Sequence, residues 1–282
     1  MKLVRYGEAG AEKPGLVDAG GTVRDLSEVV DDIAGVVLSS EGLQRLRAID
    51  PESLPVAPSH LRFGPCVGRI GRFICIGLNY ADHAAESNLP VPEKPIIFAK
   101  LCAATGANDP IIIPRDSAKT DWEVELGVVI GDTAAHVSED DALDYVAGYC
   151  VINDVSERRF QLEEGGQWVK GKSADSFGPI GPWLVTADEV PDPQNLAMWL
   201  DVNGQRKQTG STKTMVFGVA ALIAHLSKFM TLRAGDVIST GTPPGVGMGQ
   251  KPQAVYLKPG DVVRLGVEGL GEQEQRCVAH TS

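Results

Sequence analysis

The sequence predicts a β-rich α+β protein, with a small β-rich N-terminal domain (residues 1–65) ahead of a larger domain (66–282). Three observations carry this. Short apolar or alternating runs recur along all 282 residues, punctuated by 32 glycines and 18 prolines. Helical periodicity is confined to a few stretches that do not alternate with the strands, which excludes a doubly wound or barrel α/β fold. A proline-containing connector, "PVAPSHLRFGPCVGRIG" (55–71), separates the front of the chain from the rest.

In chain order, "KLVRYG" and "PGLVDAGGTVRDL" read as short strands about a Gly-Gly turn, and "SEGLQRLRAI" as a helix ended by "DPESLP". After the connector, "RFICIGLNY" reads as a buried strand. "KPIIFAK", "DPIIIP", "WEVELGVVIG", "GYCVINDVS", "WLDVNGQRKQ", "DVISTG" and "DVVRLGVEGLG" follow as further strands. The predicted helices are "YADHAAESN", "DALDYV" and the amphipathic "TMVFGVAALIAHLSKFM". No internal repeat or low-complexity tract occurs.

Composition narrows the function. A hydrophobic content of 43% and a charged content of 22% suit a core-forming soluble protein. The net charge of −11 argues against nucleic acid as the main partner, since phosphate binding needs clustered Lys and Arg. The five cysteines are scattered, odd in number and without C-x-x-C, so they read as buried thiols in a reducing compartment. The N-terminus "MKLVRYGEAG" has no apolar signal-peptide core, and no run is long enough to span a membrane. A cytoplasmic location is the expectation.

The segment "KTDWEVELGVVIGD" (119–132) raises the chemical question. Strand alternation puts Trp122, Val124 and Leu126 on one face and Asp121, Glu123 and Glu125 on the other. Three carboxylates in a row repel, and the chain then runs into the apolar "GVVIG". A half-buried strand with a wet acidic face is one reading. The other follows from "GYCVINDVSER", which supplies a second apolar strand ending in Asp154. Buried carboxylates without a cation are costly, and Glu123, Glu125 and Asp154 would form an all-oxygen site for Mg²⁺, Mn²⁺ or Ca²⁺.

Other candidates surround this trio. His83 and Glu86, three apart in "NYADHAAES", share a helical face, as a water-activating pair requires, though a solvated surface pair would look the same. Arg158 and Gln161 lie just past Asp154. The loop-like "GQWVKGKSADSFGPIGPW" that follows has a lid's composition, with Lys172 as an anchor for a carboxylate or oxyanion. Lys170 and Arg159 read as surface charge. "STGTPPGVGMGQK" fails as a phosphate loop, because Lys251 precedes Pro252 rather than Ser or Thr. Its Thr242 hydroxyl and backbone amides remain able to bind a carboxylate. His60, His136, His225 and His280 have no partners at ligand spacing, and no G-x-S-x-G elbow is present.

Taken in order, "NYADHAAE", "DWEVELGVVIG", "GYCVINDVSERRFQ", "GQWVKGKSADSFGPIGPWLVT" and "STGTPPGVG" resemble the fumarylacetoacetate hydrolase family from about residue 70 to 272. The resemblance implies a rolled, mixed β-sheet catalytic domain, a homodimer, and a divalent metal, Mg²⁺ above Mn²⁺ or Ca²⁺. By position it implies Glu123, Glu125 and Asp154 as metal ligands, with His83, Glu86 and Lys172 as catalytic residues. Arg158, Gln161 and Thr242 would then touch substrate. "LCAATGANDP" (101–110) departs from the family pattern, so contacts near 101–106 are not carried over.

The implied activity is hydrolysis of the C3–C4 bond of a 2,4-diketo acid, an acylpyruvate, giving pyruvate. Within the family the sequence looks most like enzymes of 2,4-diketo-3-deoxy sugar acids of the rhamnonate or fuconate type. The alternatives are a ureidoglycolate lyase and a decarboxylase or isomerase of the same family. A non-catalytic protein with a structural cation is a fourth, opposed by the presence of both His83 and Glu86.

Overall fold

The computed structural model describes residues 1–86 and 90–281, with the backbone alone for 83–85. Among these residues the strands are β1 (Lys2–Tyr6), β2 (Lys13–Val17), β3 (Val23–Asp25), β4 (Phe73–Gly77), β5 (Ile96–Lys100), β6 (Ile111–Ile113), β7 (Thr120–Asp121) and β8 (Val124–Ile130). They continue as β9 (Val146–Asn153), β10 (Ser156–Glu157), β11 (Ile180–Thr186), β12 (Ala197–Val202), β13 (Gln205–Ser211), β14 (Val237–Ser239), β15 (Val262–Val267) and β16 (Gly271–Ala279). The α-helices are α1 (Ser40–Arg47), α2 (Ala81–Glu86), α3 (Val169–Lys172) and α4 (Val219–Ser227).

Nine strands form one sheet in the order β3-β2-β1-β11-β9-β8-β14-β4-β5. All neighbours are antiparallel except β14 and β4. A second sheet runs β13-β12-β15-β16-β6, with β16 and β6 parallel. This is the rolled, mixed, helix-poor architecture expected from the sequence.

The large sheet has two apolar faces because its central strands carry apolar residues at successive positions. Ile74, Ile76, Val128, Ile130, Tyr149 and Val151 pack with the five-stranded sheet and α4 in the main core. Phe73, Cys75, Val129, Cys150 and Ile152 face the other way, onto Leu26, Ile33, Leu38, Leu43 and Leu46 of the front segment. The front segment also enters the sheet directly, through β1 paired with β11 at Lys2–Val185 and Leu3–Leu184. Arg5 pairs with Asp32 at 2.6 Å, while Arg62 joins Glu12 at 2.9 Å to Asp109 at 2.6 Å.

Several elements differ from expectation. "IGPWLVT" is strand β11 rather than loop, and it absorbs Pro182 where its register against β9 shifts between Gly181 and Val185. Strand β16 was absent from the sequence reading. Its inward face carries Gln273 and Gln275, whose amides donate to Val151, Gly181 and Ala107 carbonyls, so no apolar alternation announces it. "DALDYV" forms only a short 3-10 turn, and the long helix predicted over 214–230 contracts to α4. The cysteines are unpaired; four are buried and Cys102 is partly so. Among the described residues no helix is long and apolar enough to cross a membrane.

Candidate active site

The acidic row is not one continuous strand. Pairing stops after Asp121 and resumes at Val124, so Trp122 and Glu123 bridge β7 and β8. The gap is held open by side chains: Asn153 Oδ1 accepts from Glu123 N at 3.1 Å, and Gln208 Oε1 from Val124 N at 2.9 Å. Glu125 then sits on β8, opposite Ile152 of β9. Asp154 follows the last residue of β9.

These three carboxylates are buried, and one oxygen from each lies within 4.8 Å of the others. Glu125 Oε2 accepts from Ser239 Oγ at 2.6 Å and Gly241 N at 2.8 Å. Lys172 Nζ, on the last residue of α3, stands 2.7 Å from Glu123 Oε2 and 2.7 Å from Asp154 Oδ2. Lys100 Nζ lies 2.5 Å from Asp154 Oδ1 and donates to the Val155 and Lys172 carbonyls. Arg158 donates to Asp121 at 2.8 Å, Glu123 at 2.6 Å and Gln161 at 3.0 Å. Gln161 rides on a wide π-type turn, Arg159–Glu163.

Four carboxylates thus face three cations in one buried network, one negative charge in excess when all four are ionised. Burial, then the Asp154 and Glu123 charges, push the Glu125 carboxyl well above its usual range. Burial also opposes the Lys172 charge, but Asp154 and Glu123 outweigh it and hold the ammonium protonated. The donor set fits a hard divalent cation: all ligand atoms are carboxylate oxygens. Asp154 Oδ1 adds to the fit, being buried without a well-directed hydrogen bond although Lys100 is near.

A cavity of about 60 Å³ opens above the trio. Glu123, Glu125, Arg158, Gln161, Lys172 and Thr242 line it, so six of the nine residues singled out from sequence meet there. Asp154 lies beneath, fully buried. The Thr242 hydroxyl is engaged within the protein, donating to Val124 O at 2.9 Å and accepting from Gln208 Nε2 at 2.8 Å. Glu86 reaches the neighbouring loop, where its carboxylate accepts from Gly245 N at 3.0 Å. His83 lies on α2, but its side chain is outside the described residues.

Sequence reasoning left two supports unassigned. Lys100, at the end of the outermost strand β5, comes to Asp154 only because the sheet curls. Asp121 accepts from Gly247 N at 2.6 Å and Met248 N at 3.0 Å as well as from Arg158, tying the 245–249 loop to the pocket. Its place in the acidic row was the available signal.

Buried charges of both signs converging on one pocket mark an enzyme-type site. Residues 72–278 match the family described as fumarylacetoacetate (FAA) hydrolase, C-terminal, and the chain belongs to that family. It is 66% identical over 276 residues to a Burkholderia multivorans protein that carries only the general name of hydrolase, covering 98% of each chain. Among solved structures it is similar to a fumarylacetoacetate hydrolase from the psychrophile Exiguobacterium antarcticum: 36% identity, 99% of this chain and 100% of that one, TM-score 0.88. It is also similar to a maleylpyruvate hydrolase from Sphingobium sp. SYK-6 in complex with manganese(II) and pyruvate, at 28% identity, 100% of both chains and TM-score 0.82.

Proposed function

We propose that this protein is a divalent-metal-dependent acylpyruvate hydrolase, cleaving the C3–C4 bond of a 2,4-diketo acid with water to give pyruvate and a carboxylic acid. The observation that carries the reading is Lys172 Nζ at 2.7 Å from both Glu123 and Asp154, inside the carboxylate trio and against the cavity. A dicarboxylate–ammonium cluster of this kind is costly to bury unless it serves a ligand. The manganese and pyruvate in the maleylpyruvate hydrolase complex support the same reading.

Glu123, Glu125 and Asp154 would hold the cation, Mg²⁺ in the first instance. When bound, it would polarise the 2-keto oxygen and favour the enolate-like leaving group. With all four carboxylates ionised around it, the network would carry one positive charge, matching a monoanionic keto acid. Lys172 would then neutralise charge developing on the pyruvyl half, from a position already fixed by two carboxylates. Arg158 and Gln161, locked to each other at 3.0 Å, would orient the substrate's carboxylate end. His83, oriented by Glu86, would take the proton of the attacking water and return it to C3 of the departing pyruvate.

The test is pyruvate release from acylpyruvates with Mg²⁺ and with chelator, alongside ureidoglycolate with urea as the readout. Metal-dependent pyruvate release is expected, and it should fall at least 100-fold in His83→Ala while metal binding persists. Urea release alone would overturn the reading in favour of a lyase.

A further inference from the structure

Lys100 is a buried cation to which the reaction above assigns no step. It ends β5, and its side chain is wholly enclosed. The ammonium donates to Val155 O at 3.0 Å and to Lys172 O at 2.9 Å, and it lies 2.5 Å from Asp154 Oδ1. The next residue repeats the attachment: Leu101 N donates to Ser173 Oγ at 2.9 Å. The end of β5 thus grips two other segments, 154–155 and 172–173.

Both segments need an outside hold. Asp154 and Val155 lie between β9 and β10, outside the strand ladders. Helix α3 is four residues long, too short to fix its own end, and the carbonyl of its last residue, Lys172, has no partner within the helix. Lys100 supplies that partner. Because Lys172 Nζ meets Asp154 Oδ2 at 2.7 Å, the contacts close into a ring. It runs from the Lys100 ammonium through the Asp154 carboxylate and the Lys172 side chain to the Lys172 carbonyl, and so back to Lys100.

The two carbonyls take directed N–H bonds from Lys100, whereas Asp154 Oδ1 has its charge alongside without a well-directed hydrogen bond. That oxygen is held by attraction while its lone pairs stay open to a cation.

Resting on the acylpyruvate reading, we propose that Lys100 is a positioning residue, which sets the Asp154 carboxylate for the divalent cation and the Lys172 ammonium for the substrate at once. It is also the constant counter-charge of Asp154, so Lys172 can turn to the pyruvyl half without leaving that carboxylate uncompensated. A lysine that only balanced charge would have the opposite effect on the cation. It would repel Mg²⁺, and its removal would tighten binding. Removal of a residue that aims a ligand weakens binding, commonly by about 10–100-fold.

The experiment measures Mg²⁺ binding by calorimetry in wild type, Lys100→Met and Lys100→Arg, with kcat and KM on acetylpyruvate alongside. Lys100→Met should bind Mg²⁺ about 10-fold more weakly or worse, and at saturating Mg²⁺ its kcat should fall far more than its KM rises. Lys100→Arg keeps the charge and its N–H donors, so it should bind Mg²⁺ more tightly than Lys100→Met. Unchanged or tighter Mg²⁺ binding in Lys100→Met would overturn the proposal. An equal loss in both variants would also overturn it, assigning the effect to packing. The calorimetry needs no turnover: absence of pyruvate from every acylpyruvate would overturn the reading of function, while the order of the three Mg²⁺ affinities would still decide the role of Lys100.

Discussion

Arg158 and Asp121 form a buried ion pair, with Nε 2.8 Å from Oδ2. Arg158 lines the cavity, whereas Asp121 is fully buried and not part of its lining. Arg158 extends to Glu123 and Gln161, while Asp121 collects the amides of Trp122, Gly247 and Met248. The pair fastens the acidic row to the loop that carries Met248 into the pocket, so damage to it should be felt in stability and activity together.

Asp121→Asn keeps one acceptor oxygen but turns an NH₂ toward groups that also donate. Removing one partner of a buried charge pair leaves the other uncompensated, and a loss of about 3–5 kcal/mol is expected. Urea unfolding would show a lower midpoint. A midpoint within experimental scatter of wild type would mean that the pair carries little of the site's stability.

Glu125→Gln is nearly isosteric, and its amide oxygen can still accept from Ser239 and Gly241. In chelator this variant should be at least as stable as wild type, because burial and the neighbouring Asp154 and Glu123 already disfavour the charged form of Glu125. With Mg²⁺ the order should reverse. At 100 times the dissociation constant a cation stabilises by about 2.7 kcal/mol, visible as a rise in Tm for wild type and lost in the variant. Equal Mg²⁺ shifts in both would remove Glu125 from the ligand set.

Acid stability should report on Glu12. Burial alone would raise its pKa, but the Arg62 hydrogen bond, backbone amides and Arg5 outweigh it and leave the carboxyl below its ordinary value. A depressed carboxylate pKa contributes stability that is full above the unfolded value and lost as pH falls through the folded one. Glu12→Gln should therefore be less stable than wild type at pH 7, by about 1–2 kcal/mol, and the gap should narrow as pH falls below the ordinary glutamate value of about 4.3. A gap that persists unchanged in acid would assign the loss to packing rather than charge.

Gly77→Ala tests the packing of Trp168, a residue lining the cavity, against β4. The added Cβ needs Trp168 to move, since its ring atoms would lie 2.3–2.9 Å away. The expected stability cost is about 1–3 kcal/mol, with a fall in kcat/KM beyond what the stability loss explains. Unchanged kinetics would show that the position of Trp168 is not critical.

Much of the site could be read along the chain because its chemistry is clustered there. Glu123 and Glu125 are two apart in an alternating run, and Arg158 and Gln161 follow Asp154 within seven residues. The supporting shell was less legible. Lys100, Ser239 and Asn153 contact the trio, and Gln208 the intervening Val124, across separations of 30 to 114 residues, and each is an ordinary polar residue in its own segment. Strand β16 was hidden for a related reason: its inward glutamines satisfy carbonyls of other strands, and such partners leave no mark on local periodicity.

By itself, then, the amino-acid sequence determined the β-rich class, the acidic trio and the cationic residues near it, since these depend on local alternation and on residue type. Only the tertiary structure decided that the front strands join the main sheet through β11, that Lys172 stands between Glu123 and Asp154, and that the rings of Phe98 and Trp168 meet edge to face beside the pocket. Those relations arise from the curl of the large sheet and its burial on both faces, which bring together segments whose proximity no short stretch of sequence encodes.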